Sequence, residues 1–410
     1  MEKALRSVAE RMSAKHSCSL ALALSSPLAA LSVAAAPRSS APLPPSSRWV
    51  WGSVTKQVTG ASLLQLEEEG LLSLHQPAHT ILDPALRALG LPSMRGLFGE
   101  EADSITPFHL ATMRSGLPDY DTAKPYPPPP TDPFRARVYA HPSMEFPLPS
   151  LLLLPWVGRG FLSFSPGSNL SYSSTNFVLL GLIVASLRGA ARWSDFDQIL
   201  HSMHQVHGFD RTSFNGANPS HPPGRDVWRV SGTFAGWSAS DLTAPVSDVA
   251  RFGYDLHGRH GPRLLSTASQ RRMVPSGEGW YGFATFNLSG MGISGQSSAG
   301  PYAVVYGHLG ATYGYDSLLA YYPAIDVSIA VATNIETDEQ TAPSEIACLA
   351  YNVVLAAFTR KQPPKCTFAK RGFYGGVCDC GNNFYCSPWE RKCMRSVEGT
   401  LSRADCETVC

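Results

Sequence analysis

Charge is scarce in this 410-residue chain. Asp, Glu, Lys and Arg make up 16% of it, and 33 basic residues nearly balance 32 acidic ones, for a net charge of +1. A neutral chain lacks the basic field that polyanions require, which argues against nucleic acid as a partner. The only short like-charge run, Glu67-Glu68-Glu69, reads as a solvated helix face. Long apolar runs are missing too. None reaches the eighteen or so residues of a membrane helix, and "SLLLLPWV" is short and broken by proline, so no transmembrane span is expected. Internal repeats are absent. Histidine is missing from the last 45 residues, where seven of the nine cysteines fall: Cys366, Cys378, Cys380, Cys386, Cys393, Cys406 and Cys410.

That crowding reads as a disulfide-stapled segment made in an oxidising compartment. The lack of histidine, and a Cys-x-Cys pair without a longer spacer, argue against zinc. Seven is odd, so one tail thiol is free or pairs elsewhere; Cys18 and Cys348 are isolated in sequence. The sequons at Asn169 and Asn287 are compatible with secretion. Residues 19–36 pose a rival reading, because they end in small residues as a signal segment does and follow Lys3, Arg6, Arg11 and Lys15. The preferred reading is structural. Leu5, Val8 and Met12 share one helix face, "LALAL" alternates large and small side chains, "SSP" marks a turn, and "LAALSVAAA" returns as a second strand.

Composition shifts divide the rest. A Pro/Ser connector spans residues 36–48, a Pro-rich loop spans 124–133, and "RKQPPK" precedes the cysteines, giving a main domain over 1–362 and a Cys-rich module over 363–410. After Ser53, Val54, Val58, Ala61 and Leu64 recur at helical spacing up to Gly70, with Leu63 and Leu66 widening the stripe until the helix is apolar nearly all round and must be buried. Residues 177–189 and 344–358 read as helices, and 317–334 as two strands joined by a turn. Strands at both ends with helical sequence between them predict an α+β fold: an antiparallel sheet built from both ends of the chain, flanked by helices, with a mostly helical insertion.

Ser53 and Lys56 stand three apart at the start of the buried helix, and side chains so spaced share a face. A serine hydroxyl becomes a nucleophile only when a base removes its proton. Burial and the positive end of the helix dipole both disfavour an ammonium, which suits Lys56 to that task. Read alone, the pair reads first as a helix cap beside a solvated lysine. Two further stretches bear on the choice: "SPGSNLSYSSTNFVLL", with Tyr172 before an apolar helix, and "YGHLGATYGYDSLLAYYP", with His308-Leu309-Gly310 leading into a strand pair.

With Ser53-Val-Thr-Lys56 these stretches resemble the three signatures of the serine β-lactamase and penicillin-binding-protein superfamily, in the branch near class C β-lactamases, D-aminopeptidases and esterases. The order Ser-x-x-Lys, Tyr-Ser-Asn, Lys/His-x-Gly is kept, and the likeness extends over residues 5–360 through "ITPFHLATMRSGLPDY", "PVSDVARFGYDLHG" and "WYGFATF". The resemblance implies a β-lactamase/transpeptidase-like fold and a serine hydrolase without a cofactor. Ser53 would be acylated, Lys56 would be its base, and Tyr172 would pass the proton to the leaving group. His308 would orient the substrate or polarise Tyr172, and the amides of Ser53 and Ala311, beside Gly310, would hold the oxyanion. Ser174 stands where the family has a substrate-facing asparagine, which weakens peptide recognition and favours an ester or amide from a small-molecule or peptide substrate. A glycan on Asn169, three residues before Tyr172, would crowd such a site, so that sequon is expected to be unmodified.

Other signals point elsewhere or nowhere. His201, His204 and His207 drift around a helix with no cysteine or carboxylate pair to complete a metal shell. No Gly-x-Ser-x-Gly elbow occurs, which argues against an α/β-hydrolase. The alternative to catalysis is a silent binding or scaffold protein that keeps the fold, with the cleft blocked by the Pro-rich loop. The Cys-rich module is expected to serve as a tether to a surface or a protein partner.

Overall fold

A computed structural model describes residues 1–38, 43–121, 133–140, 146–190, 236–260, 264–275, 280–289, 301–312, 314–359, 366–370, 375–380, 384–387 and 392–395. Residues 124–132 of the Pro-rich loop, and His201, His204 and His207, lie outside them.

The first helix, α1 (Glu2–His16), buries Leu5, Val8, Ala9 and Met12 and ends at Ser17, which takes the left-handed conformation at φ 50°. The chain then enters β1 (Leu20–Ser25) and returns in β2 (Ala30–Ala35), paired from Leu20↔Ala35 to Ser25↔Ala30. Ser26 closes the turn, its Oγ accepting from the amides of Leu28 and Ala29 at 3.2 and 3.0 Å. The large–small alternation therefore marks a hairpin, as expected. Every residue of β1 is buried, because its other edge pairs with a strand from the far end of the chain.

Beyond the hairpin, the short strand β3 (Arg48–Val50) leads through a 3₁₀ turn, Gly52–Val54, into α2 (Thr55–Glu68). Residues 55 to 66 of α2 are all buried. The helix stops where Gly70 supplies φ +74° and Leu71 donates back to the Leu66 carbonyl at 2.9 Å. Helix α3 (Ser174–Leu187), apolar on all sides, packs against α2. Strand β4 (Thr243–Pro245) pairs with β3 and runs into α4 (Val246–His257).

The sheet is completed by β5 (Phe286–Asn287), β6 (Tyr306–Thr312), β7 (Tyr315–Tyr322) and β8 (Val327–Thr333), in the order β2-β1-β8-β7-β6-β5, with every pairing antiparallel. Helix α5 (Thr341–Phe358) packs on β7 and β8 beside α1. Successive strand residues face opposite sides. Gly253 of α4 therefore meets Leu319 on one side of the sheet, while Ser344 of α5 lies near Leu309, the residue after His308, on the other. Helix α5 is long and apolar enough to cross a membrane by length and composition, but half of it is buried in these packing contacts.

Two disulfides fasten the tail. Cys366 is bonded to Cys380, and Cys348, solitary in the sequence, is bonded to Cys378, so α5 is stapled to the strand pair β9 (Thr367–Ala369) and β10 (Val377–Asp379). Cys378 of the tail thus pairs with a cysteine in the body of the protein. Cys18 is buried and free, and burial pushes its thiol up to about 12. Farther on, β11 (Phe384–Ser387) and β12 (Lys392–Arg395) form an antiparallel pair with Cys386 opposite Cys393 in the register.

Candidate active site

The turn before α2 fixes Ser53. Thr55 donates to the Gly52 carbonyl at 2.6 Å and accepts from the Leu242 amide at 3.0 Å, and the Trp51 amide donates to the Leu242 carbonyl at 2.9 Å. Ser53 is partly exposed, whereas Lys56, one turn on, is wholly buried. Its Nζ donates to Ser53 Oγ at 2.8 Å, to Ser174 Oγ at 3.2 Å and to the Ala239 carbonyl at 3.0 Å. It also lies 5.1 Å from the Tyr172 ring centroid and 5.6 Å from that of Phe177. Burial lowers the Lys56 pKa to about 7, against the pull of the carboxylates of Asp119 and Asp121. The three contacts match the three N–H groups of an ammonium, and loss of one proton, which burial favours, leaves a lone pair that can accept from the Ser53 hydroxyl.

Strand β6 is pressed onto the same turn, and glycine makes the approach possible at two positions. A Cβ on Gly310 would stand 2.0 Å from the Trp51 carbonyl oxygen, and one on Gly52, which adopts φ +50°, would stand 2.6 Å from the Ala311 oxygen and 2.8 Å from its nitrogen. Ser317 of β7 locks the contact by donating to the Trp51 carbonyl at 2.7 Å. The backbone around Ser53 and Ala311 is thus held side by side, with Ala311 half-buried at the edge.

Tyr172 belongs to an aromatic wall. It stacks on Phe286 with centroids 5.8 Å apart, meets Tyr281 edge-on at 6.0 Å, and lies 6.4 Å from the His308 ring. His308 is fully buried. Its Nδ1 faces the Leu309 carbonyl at 2.5 Å and its Nε2 faces the Tyr281 hydroxyl at 3.1 Å. Burial, reinforced by Lys56, holds the imidazole pKa well below its usual range. A neutral ring satisfies both contacts when Nδ1 donates to the carbonyl and Nε2 accepts from the phenol.

Ser174 opens α3, buried, with its hydroxyl toward Lys56 and its amide donating to Asp119 Oδ1 at 2.9 Å. The 115–120 loop is laced to this helix: Thr175 Oγ1 donates to the Pro118 carbonyl at 2.7 Å and accepts from the Tyr120 amide at 3.0 Å, while Ser115 donates to Asn176 Oδ1 at 2.6 Å. Asn169 is exposed. The Ser53–Lys56 pair, Tyr172 and His308, from three separate stretches of the chain, thus lie together, at 2.8 Å from Ser53 to Lys56, 5.1 Å from Lys56 to the Tyr172 ring and 6.4 Å between the Tyr172 and His308 rings.

The Beta-lactamase family model matches residues 26–350. The chain belongs to the Beta-lactamase family. Among solved structures, it is similar to a D-stereospecific amidohydrolase from Streptomyces sp. (20% identity, 82% of this chain and 94% of that one, TM-score 0.61). It is likewise similar to the D-amino acid amidase from Ochrobactrum anthropi SV3 (17% identity, 86% and 99% covered, TM-score 0.61). A penicillin-binding protein from Bacillus halodurans matches at 19% identity over 85% of this chain and 99% of that one, with a TM-score of 0.61. At these identities the likeness establishes the fold: the β-lactamase/transpeptidase-like sheet with flanking helices seen above.

Within this Beta-lactamase fold, several partners of these residues could not be read from the sequence. Ala239, in the 3₁₀ turn Trp237–Ala239, accepts from Lys56, and Asp119, at the end of the "ITPFHLATMRSGLPDY" stretch, accepts from the Ser174 amide, and nothing in either stretch reveals these partners. Tyr281, fully buried, sits inside the "WYGFATF" stretch, but nothing in that stretch reveals that its hydroxyl reaches His308. Gly52 could have been found: a glycine immediately before the candidate nucleophile signals a close backbone approach.

Proposed function

We propose that the protein is a serine hydrolase that forms an acyl-enzyme on Ser53, acting on an ester or amide: a β-lactam, a D-aminoacyl amide or peptide, or a simple ester. The observation that carries the reading is the wholly buried Lys56 amine, 2.8 Å from Ser53 Oγ with its pKa lowered to about 7.

In the forward step, the neutral Lys56 amine takes the Ser53 proton while Oγ bonds to the substrate carbonyl carbon. Negative charge develops on the carbonyl oxygen between the backbone of Ser53 and Ala311. The bond to the leaving alcohol or amine then breaks, and the leaving group receives a proton relayed through Tyr172. Water attacks the resulting ester, its proton moves to the base, and Ser53 is regenerated as the hydroxyl. Ser174 accepts from Lys56 and so helps aim it. No cofactor enters this sequence.

A fluorophosphonate probe followed by intact-mass measurement tests the reading. One adduct, mapping to Ser53 and lost in Ser53→Ala, is expected, together with turnover of members of an ester and D-aminoacyl amide panel. Folded protein that stays unlabelled and silent across that panel would favour a scaffold that kept the fold without turnover.

A further inference from the structure

The tail folds back onto the strand that carries His308. Gly375, at φ +89°, lies so close to Leu309 that a Cβ there would stand 2.7 Å from Leu309 Cδ1 and 3.3 Å from its Cδ2, with Ser344 Oγ of α5 also at 3.3 Å. The Gly375 amide donates to the Glu339 carbonyl at 2.5 Å, in the turn before α5 where Glu339 and Gln340 hold φ of 54° and 55° although neither is glycine. Leu309 is buried, and its own carbonyl faces His308 Nδ1. The next residue, Gly310, lies flush against the Trp51 carbonyl in the turn that carries Ser53. Strand β6 is thus gripped at successive residues, by the tail at Leu309 and by the nucleophile turn at Gly310.

Ties to α5 hold the tail in this place. Three residues beyond Gly375, Cys378 is bonded to Cys348 of α5. Cys366 exchanges two hydrogen bonds with Asn352 of α5, each of 2.8 Å, and its bond to Cys380 closes the pair of strands β9 and β10. Close-packed contacts pass a displacement on to their neighbours instead of absorbing it. Resting on the hydrolase reading, we propose that the tail is an internal positioning element: through Gly375 it backs Leu309 and so fixes His308 and β6 against the Ser53 turn, and the Cys348–Cys378 bond keeps it seated.

The rate of Ser53 labelling by a fluorophosphonate, measured over a range of probe concentrations, tests this. Cys348→Ser/Cys378→Ser opens the bond without leaving a stray thiol, and should lower the limiting labelling rate roughly tenfold while the half-saturating probe concentration stays the same. In Leu309→Ala, which gives Gly375 no side chain to back, opening the bond should slow labelling no further; a merely stabilising staple would cost the same in both backgrounds. Gly375→Ala keeps both disulfides but pushes on Leu309, and should itself slow labelling roughly threefold in protein of unaltered circular dichroism. Unchanged labelling in the cysteine double variant, or an equal loss with and without the Leu309 side chain, overturns the proposal. If the cysteine variant does not fold, Gly375→Ala labelled at the wild-type rate overturns it as well. In all these outcomes labelled wild-type protein leaves the hydrolase reading intact, whereas wild-type protein that takes no label overturns both.

Discussion

Replacing Lys56 by methionine should abolish acylation and yet stabilise the fold at neutral pH. In the unfolded chain the lysine titrates near 10.5, and in the folded protein at about 7, so the native state binds fewer protons between those values and disfavours the ammonium. A gap of that size corresponds to roughly 5 kcal/mol of burial cost at and below pH 7, at about 1.36 kcal/mol per unit. Methionine, of similar length and uncharged, removes this cost. It also leaves the buried Ala239 carbonyl without its Lys56 donor and strips a partner from two serine hydroxyls, a loss on the order of 3 kcal/mol. The expected net gain is roughly 2 kcal/mol at pH 7. Its pH dependence is the sharper signature. The wild-type penalty is full below the folded pKa and fades as pH rises towards the unfolded one, so the advantage of Lys56→Met should shrink by roughly 2 kcal/mol between pH 7 and pH 9. Urea unfolding of both proteins at several pH values measures this, and a gap that stays parallel across the range would refute the picture of a buried, deprotonated lysine.

The same lysine should give the kcat/KM profile a rising limb with an apparent pKa near 7, and Asp119→Asn, which removes an anion that favours the ammonium, should move that limb to lower pH. A stationary limb would show that another group titrates. Gly52→Ala places a Cβ 2.6 Å from the Ala311 oxygen at φ +50° and should slow Ser53 labelling by roughly 100-fold, read by mass spectrometry beside circular dichroism. Cys378→Ser, which opens the bond to Cys348 across a separation of 30 residues, should cost roughly 2–4 kcal/mol in denaturant unfolding; an unchanged midpoint would mean the staple does not restrain the unfolded chain.

Periodicity disclosed the elements whose burial is one-sided or complete over a long run. Residues 53 to 70 announced a buried helix and its stop, and both stand where spacing put them. Likewise, the apolar runs expected over 177–189 and 344–358 are helices, each beginning three residues earlier, at Ser174 and Thr341, where polar first-turn residues blur the apolar pattern. The N-terminal alternation was readable as a hairpin but not its place in the interior of the sheet, since pairing with β8 depends on residues three hundred positions away. The bond from Cys348 to Cys378 was hidden for the same reason: a lone cysteine in a helix gives no hint of its partner. In the cleft, Ser53, Lys56 and Tyr172 carry motifs, whereas the partners of His308 do not. Hydrogen bonds such as Tyr281 to His308 are fixed by tertiary packing, which leaves no spacing rule to read.

Because β1 inserts between β2 and β8, the hairpin is translated well before the strand that covers its other edge. At ribosomal speeds of about 5–20 residues per second, the interval between residue 25 and residue 333 amounts to roughly 15–60 s. Throughout that time an unsatisfied strand edge, rich in leucine and alanine, is on offer to any other nascent chain. Recombinant yield should accordingly depend on how well that edge is shielded until β8 arrives.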